Sequence, residues 1–244
     1  MYNFFTDKKA EGSYIIDGSD YNHVKNVLRM KEGEKFLVSD NGASHLCELS
    51  SLEKDFCLAK VIEENYLTTE LPVKIRLFQG LPKSDKLELI IQKTVELGVS
   101  EIIPVEMARS IVKFGQKKKA QKTERFQAIA ESAAKQSKRN VIPTVKDAVS
   151  FSEALELAKD SDLILIPYEN EKGMQATKDA LNKIARGKTV SVFIGPEGGF
   201  DEKEVEKIIE LGGISISLGS RILRTETAAI TTLGMLMLHI EMNV

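Results

Sequence analysis

The sequence predicts an α/β fold, with a parallel sheet in the larger C-terminal part and a small β-rich domain ahead of it. Three observations lead there. From residue 73 onward, short apolar runs of strand length alternate with amphipathic helical stretches. Up to about residue 63, short strands are separated by turn residues. Between the two patterns, residues 63–72 (EENYLTTELP) are polar and end in proline, the composition of a linker. The expected domains are therefore 1–70 and 71–244.

In the N-terminal part, residues 35–39 and 44–52 read as strands joined through Asn41-Gly42, a pair that tolerates the positive φ angles of a type I′ hairpin turn. One helix interrupts them. Ser19 can cap it, Tyr21, Val24, Val27 and Leu28 recur at helical spacing, and Gly33 ends the segment. A small β-barrel with one helix fits this order. Next, residues 73–79 (VKIRLFQ) form a strand, and 86–97 a helix with Leu87, Ile90, Ile91 and Val95 inward and Gly98 at its stop. Residues 102–105 are extended, and 123–137 form a long helix on which Phe126, Ile129, Ala130 and Ala133 share a face. Ser150 with Glu153 forms a capping box for a helix through Lys159, and 162–167 (DLILIP) has strand length. A helix then runs through Thr177, Leu181 and Ile184 to Gly187, followed by a strand at 189–194. Asp201 with Glu204 caps a helix that buries Val205, Ile208, Ile209 and Leu211 and halts at Gly212-Gly213. Residues 214–218 are the last strand and 225–241 the last helix. Strands separated by helices of this length imply right-handed crossovers and a parallel sheet covered on both faces.

Composition narrows the functional classes. The 244 residues are 42% hydrophobic and 29% charged, ordinary for a globular protein with a real core. The opening MYNFFTDKKAEG lacks a signal-peptide layout, and no apolar run nears the roughly 20 residues of a membrane span, so a cytoplasmic protein with no membrane association is expected. Cys47 and Cys57 show no CxxC spacing, and His23, His45 and His239 lie far apart, so no metal site is expected. The net charge of −2 conceals a local excess: residues 109–139 carry ten basic and two acidic side chains, a window of +8 that leaves −10 elsewhere. Such a patch is either a phosphate-binding surface or a solvated helix face.

Ligands of open parallel sheets bind beyond the carboxyl ends of strands, which directs attention to the loops after Ile166, Ile194 and Leu218. Two of them are unusual. Gly195-Pro196-Glu197-Gly198-Gly199-Phe200 lets bare backbone approach a ligand, and Gly219-Ser220-Arg221-Ile222-Leu223-Arg224-Thr225-Glu226-Thr227-Ala228 ends in a helix start with exposed N–H donors. No GxGxxG follows a strand and no GxxxxGK[ST] occurs, which disfavours a nicotinamide oxidoreductase or a P-loop enzyme. Glu197 would repel a phosphate, so a neutral or cationic ligand is favoured. S-adenosylmethionine fits, since its sulfonium tolerates a nearby carboxylate.

The residues also resemble a known family. His23 to Arg29 (HVKNVLR), Lys93 to Pro104 (KTVELGVSEIIP), Glu131 to Arg139 (ESAAKQSKR), GPEGGF and LGSRILRTETA are similar to the motifs of the RsmE family, within the SPOUT class of knotted methyltransferases. That resemblance covers nearly the whole chain and implies methylation of a uridine at N3 in 16S ribosomal RNA of the small ribosomal subunit. It further implies an N-terminal PUA-like barrel, a C-terminal SPOUT domain with a deep trefoil knot, and a homodimer. Where the family usually carries an arginine near the start, this chain has Asn3, which leaves open the RNA contact of that arginine.

Carried onto this sequence, the resemblance places S-adenosylmethionine against Ile194, Gly195, Pro196, Glu197, Gly198, Gly199, Leu218, Gly219, Ile222, Leu223, Arg224, Thr227 and Ala228. Arg224 is the expected stabiliser of negative charge developing on the target base, with a phosphate contact or an ion pair with Glu226 as alternatives. Glu226 or Glu197 can accept the proton, although Glu226 can equally serve the helix start. Arg29, Lys113, Gln136, Lys138 and Arg139 are the expected RNA contacts. Two other readings stay open: a SPOUT enzyme acting on a ribose 2′-hydroxyl, and a non-catalytic RNA-binding ribosome assembly factor.

Overall fold

The computed structural model describes the chain except Ser84, Lys113, Phe114, Gly115, Asn170 and Lys172, and the side chains of residues 116–118. The described chain forms two compact units, one of Met1–Glu70 with Ala134–Ile142, the other of Leu71–Ala133 with Pro143–Val244.

The first unit contains β1 (Asn3–Phe5), β2 (Lys9–Ala10), β3 (Ser13–Asp17), α1 (Gly18–Asn22), a π-helical segment (His23–Val27), β4 (Lys35–Asp40), β5 (Ala43–Leu52) and β6 (Phe56–Glu63). Its strands make one sheet in the order β1-β4-β5-β6-β3-β2, antiparallel except for the β1–β4 pair. Phe4, Tyr14, Ile16, Phe36, Val38 and Leu49 from four of these strands pack into one core with Tyr21 and Val24. The β4–β5 hairpin turns through Asn41 (φ 49°) and Gly42 (φ 85°), the two positive φ angles that the sequence predicts. The helix departs from expectation at both ends. Asp17, not Ser19, holds the cap position, without a side-chain hydrogen bond. The π-helical turn then shifts the helical phase, so that Tyr21 and Val24 are buried while Val27 is 64% exposed.

Residues Ala134–Ile142 complete this unit with a polar cluster. Glu70 accepts hydrogen bonds from Arg139 Nε (2.8 Å), Arg139 Nη2 and the backbone N–H groups of Asn140 (2.9 Å) and Val141 (3.2 Å). Asn3 Nδ2 donates to the Arg139 carbonyl at 2.9 Å, and Ser39 Oγ donates to Asn3 Oδ1 at 3.0 Å. Asn3 is thus a buried structural residue.

The second unit contains β7 (Lys74–Gly80), α2 (Lys86–Glu96), β8 (Glu101–Glu106), most of α3 (Gln116–Ser137), β9 (Thr144–Val145), β10 (Val149–Ser150), α4 (Phe151–Ala158), β11 (Leu163–Pro167), α5 (Gln175–Leu181), β12 (Thr189–Ile194), α6 (Glu202–Glu210), β13 (Ile214–Ile216) and α7 (Thr225–Asn243). All its strand pairs are parallel, in the order β10-β8-β7-β12-β11-β13 with β9 on β8. Both predicted capping boxes form, at Ser150/Glu153 and Asp201/Glu204. Helix α3 begins at Gln116 rather than at residue 123, because its lysine- and glutamine-rich first turns favour helix without showing an apolar stripe. On α6, Ile208 is buried but Ile209 is 43% exposed, so the inward stripe is narrower than predicted. Strand β13 ends at Ile216, which releases Ser217 and Leu218 into the following loop. Among the described residues, no helix is long and apolar enough to cross a membrane.

Candidate active site

Strands β12, β11 and β13 are neighbours, and the loops leaving their carboxyl ends enclose a cavity of about 1030 Å³. Ile194, Gly195, Pro196, Glu197, Gly198, Gly199, Leu218, Gly219, Ile222, Leu223, Arg224 and Ala228 all line it. Thr227 does not: it is exposed, because the first turn of α7 aims Thr225 and Ala228, three residues apart, at the cavity and turns Thr227 away. The loop after Ile166, one of the three expected to bear a ligand, forms the third wall with Pro167, Tyr168, Glu169, Glu171, Gly173 and Met174, but sequence reasoning chose none of these residues, and it missed Lys86. An aromatic residue just past the strand DLILIP was the available signal.

The glycines act at specific points. A Cβ on Gly195 would lie 3.1 Å from the Gly199 carbonyl carbon and 3.2 Å from the Phe200 ring, so the loop folds on itself only without one. Gly199 takes φ +70° and its N–H donates to the Pro196 carbonyl at 2.9 Å, which closes the turn. Gly80, at the end of β7, would place a Cβ 2.6 Å from the Pro196 nitrogen. From outside the loop, Arg109 Nη1 donates to the Gly198 carbonyl at 3.2 Å.

A buried seam ties strand, loop and helix together. Thr225 Oγ1 donates to the Gly195 carbonyl at 2.6 Å and accepts from Gln79 Nε2 at 2.9 Å. Gln79 and Thr225 are 0% and 5% exposed, so these bonds form out of water, where an unmet polar group is costly. Neither residue was singled out from the sequence, although a lone amide at the end of the apolar run VKIRLFQ was a visible anomaly.

Charge at the cavity centres on Lys86. Its Nζ lies 3.2 Å from Glu197 Oε1 and 3.3 Å from Glu226 Oε2, and Glu197 also accepts the Lys83 N–H at 3.0 Å. Burial pushes the Glu197 carboxyl up, but the backbone N–H groups of Lys83 and of Glu197 itself, with Lys86, outweigh it and hold it below the ordinary range. Lys86 is raised, chiefly through its hydrogen bond with Glu197. Arg224 occupies the cap position of α7 with its side chain exposed. No Arg224–Glu226 ion pair forms among the described residues, since Glu226 turns to Lys86 and does not line the cavity.

The expected RNA contacts divide. Arg29 (φ 53°), Gln136 and Lys138 (φ 59°) are exposed on the first unit. Arg139 corrects the expectation: it is 4% exposed, and its guanidinium is closed onto Glu70, so it braces the unit and offers no surface to RNA. Lys113 lies outside the described residues.

Residues 69–237 match the RNA methyltransferase domain family, and residues 16–62 match the RNA methyltransferase PUA domain. The chain is 41% identical to the ribosomal RNA small subunit methyltransferase E of Bacillus subtilis (strain 168), over 94% of this chain and 91% of that protein. It is 35% identical to the protein of the same name from Mesomycoplasma hyopneumoniae (strain 232), over 94% and 96%. Among solved structures, it superposes on a ribosomal RNA small subunit methyltransferase E from Neisseria gonorrhoeae bound to S-adenosyl methionine with a TM-score of 0.80, 31% identity and 96% coverage of both chains. The resemblance read from the motifs thus extends to the whole chain and its fold, and the chain belongs to the ribosomal RNA small subunit methyltransferase E family.

Proposed function

We propose that this protein transfers a methyl group from S-adenosylmethionine to N3 of a uridine in the 16S RNA of the small ribosomal subunit. The observation that carries this reading is the cavity itself. Its 1030 Å³ sits at the upper end of the roughly 300–1,000 Å³ typical of small-molecule sites, room for a nucleoside cofactor with space beside it for a base. Bare backbone at Gly195, Gly198, Gly199 and Gly219 suits the hydrogen-bonding edges of adenosine, and Ile194, Leu218, Leu223 and Ala228 supply an apolar slot. The carboxylates of Glu169, Glu171 and Glu197 on the wall suit a cationic ligand. When bound, the cofactor supplies an electrophilic methyl group.

The protein's task is to make uridine N3 a nucleophile. N3 must lose its proton, which the Glu197 carboxylate on the cavity wall accepts, and the charge left behind spreads onto the flanking carbonyl oxygens. Arg224, always charged and exposed on the cavity wall, stabilises that charge. Glu226, set behind Lys86, acts through that ammonium instead of meeting the base. Enclosure by three loops aligns donor and acceptor and excludes water.

Arg29, Gln136, Lys138 and Lys113 are the proposed RNA contacts, with the PUA-like unit assisting the grip. The chain after β13 returns past Gly195 and Gln79 to pack α7 on α2, contacts that support the proposed trefoil knot. Exposed Leu238 and Met242 on α7, and Ile222 at 86% exposure, support a homodimer that covers them. The test is to compare modified nucleosides in ribosomal RNA from cells with and without this protein. Loss of one N3-methyluridine from the small-subunit RNA is expected. An unchanged profile, or loss of a ribose methyl group, refutes the assignment.

A further inference from the structure

We propose that Lys86 is a positioning residue: its ammonium, shared between Glu197 and Glu226, latches the Gly195–Phe200 loop to the first turn of α7 beside the cavity. This inference rests on reading that cavity as the cofactor site.

Nothing in its own helix calls for a cation at this position. Lys86 opens α2, where the positive end of the helix dipole disfavours an ammonium. Its partners come from two other elements, at 3.2 and 3.3 Å, and the three side chains are only 28% (Lys86), 27% (Glu197) and 16% (Glu226) exposed. Glu226 Oε2 is buried without a hydrogen bond, so the ammonium is what compensates its charge. Among the described residues, the same loop and helix are also joined by the neutral hydrogen bond from Thr225 to the Gly195 carbonyl. The latch is therefore the ionic half of a two-point joint. Loss of Lys86 leaves the neutral half in place but sets two carboxylates near each other without a cation between them.

The low Glu197 and raised Lys86 pKa values agree with this sharing. Other charged or titratable groups on the surrounding elements include Lys83 and Asp85 before α2, Glu88, Lys93 and Glu96 on α2, Arg109 against Gly198, Tyr168, Glu169 and Glu171 after β11, Arg221 and Arg224 after β13, and His239 and Glu241 on α7. Among the described residues none of these forms an ion pair with Lys86, and Glu88 is engaged by Arg125 at 2.9 Å.

The test is a carboxyl-carbon NMR titration of the full chain without cofactor, for wild type, Lys86→Met and Lys86→Arg. In Lys86→Met the midpoint of Glu197 should rise, and in Lys86→Arg it should return toward wild type. Calorimetry with S-adenosylmethionine should show binding about tenfold weaker in Lys86→Met and recovered in Lys86→Arg, as expected for loss of preorganisation. An unmoved Glu197 midpoint in folded Lys86→Met, or no recovery in Lys86→Arg, overturns the proposal. If Lys86→Met does not fold, the Lys86→Met/Glu226→Gln pair lacks the stranded charge, and an unmoved Glu197 midpoint there overturns it equally. Wild-type protein that fails to bind S-adenosylmethionine would sink the cofactor reading, while the titration would still decide whether the latch exists.

Discussion

Arg139 in the first unit and Lys86 in the second each neutralise acidic partners, yet the two clusters do opposite things. Arg139 is 4% exposed and grips one carboxylate, Glu70, with its planar fork, while backbone N–H groups saturate the same acid. Lys86 is 28% exposed and divides a point charge between two carboxylates beside a cavity. A rigid fork with saturated partners makes a brace, whereas a shared ammonium makes a joint that a neighbouring ligand can feel. Residue type and local motif do not separate these roles. ESAAKQSKR pointed Arg139 toward RNA, and no motif marked Lys86.

Three substitutions sharpen or break this contrast. The largest effect belongs to the cavity side, where Arg224→Ala should slow single-turnover methyl transfer about 100- to 1000-fold, the loss expected of one preorganised charge stabiliser. Its unfolding midpoint should stay at the wild-type value because the side chain is exposed; an unchanged rate removes Arg224 from the mechanism. On the sealed side, Arg139→Ala should cost about 3 kcal/mol in urea unfolding, the low end for a buried pair because Glu70 is 25% exposed. A cost below about 0.5 kcal/mol, the size of an ordinary surface change, would reassign Arg139 to the surface. The smallest effect tests the edge of the cavity. Thr227→Ala should leave S-adenosylmethionine affinity within about twofold, as for a surface position, and a larger loss would restore Thr227 to the site.

Much of the architecture was legible because its signals are local. Capping boxes span four residues, strand and helix periods show within a dozen, and Asn41-Gly42 announces its own turn. The glycine-rich loops were legible for the same reason, but the choice of S-adenosylmethionine and RNA leaned on motif resemblance. The loop after β11 was marked by its place at the end of a strand, but its composition singled out none of its residues. The Gln79–Thr225 bond joins residues 146 apart, and the Thr225–Gly195 bond residues 30 apart, distances at which no periodicity speaks. The π-helical turn at His23–Val27 and the early start of α3 were hidden because helical spacing predicts an apolar stripe, not the pitch or the reach of the helix that carries it.

The first compact unit is not a continuous stretch of chain, since Ala134–Ile142 returns to it after the first part of the other unit, Leu71–Ala133. Until residue 142 has left the ribosome that makes this protein, Glu70 lacks Arg139 and Asn3 lacks the carbonyl it binds. The unit that starts first in synthesis therefore cannot close until the first part of the other unit has been made, and a fragment cut after Glu70 would carry a sheet with an open polar seam.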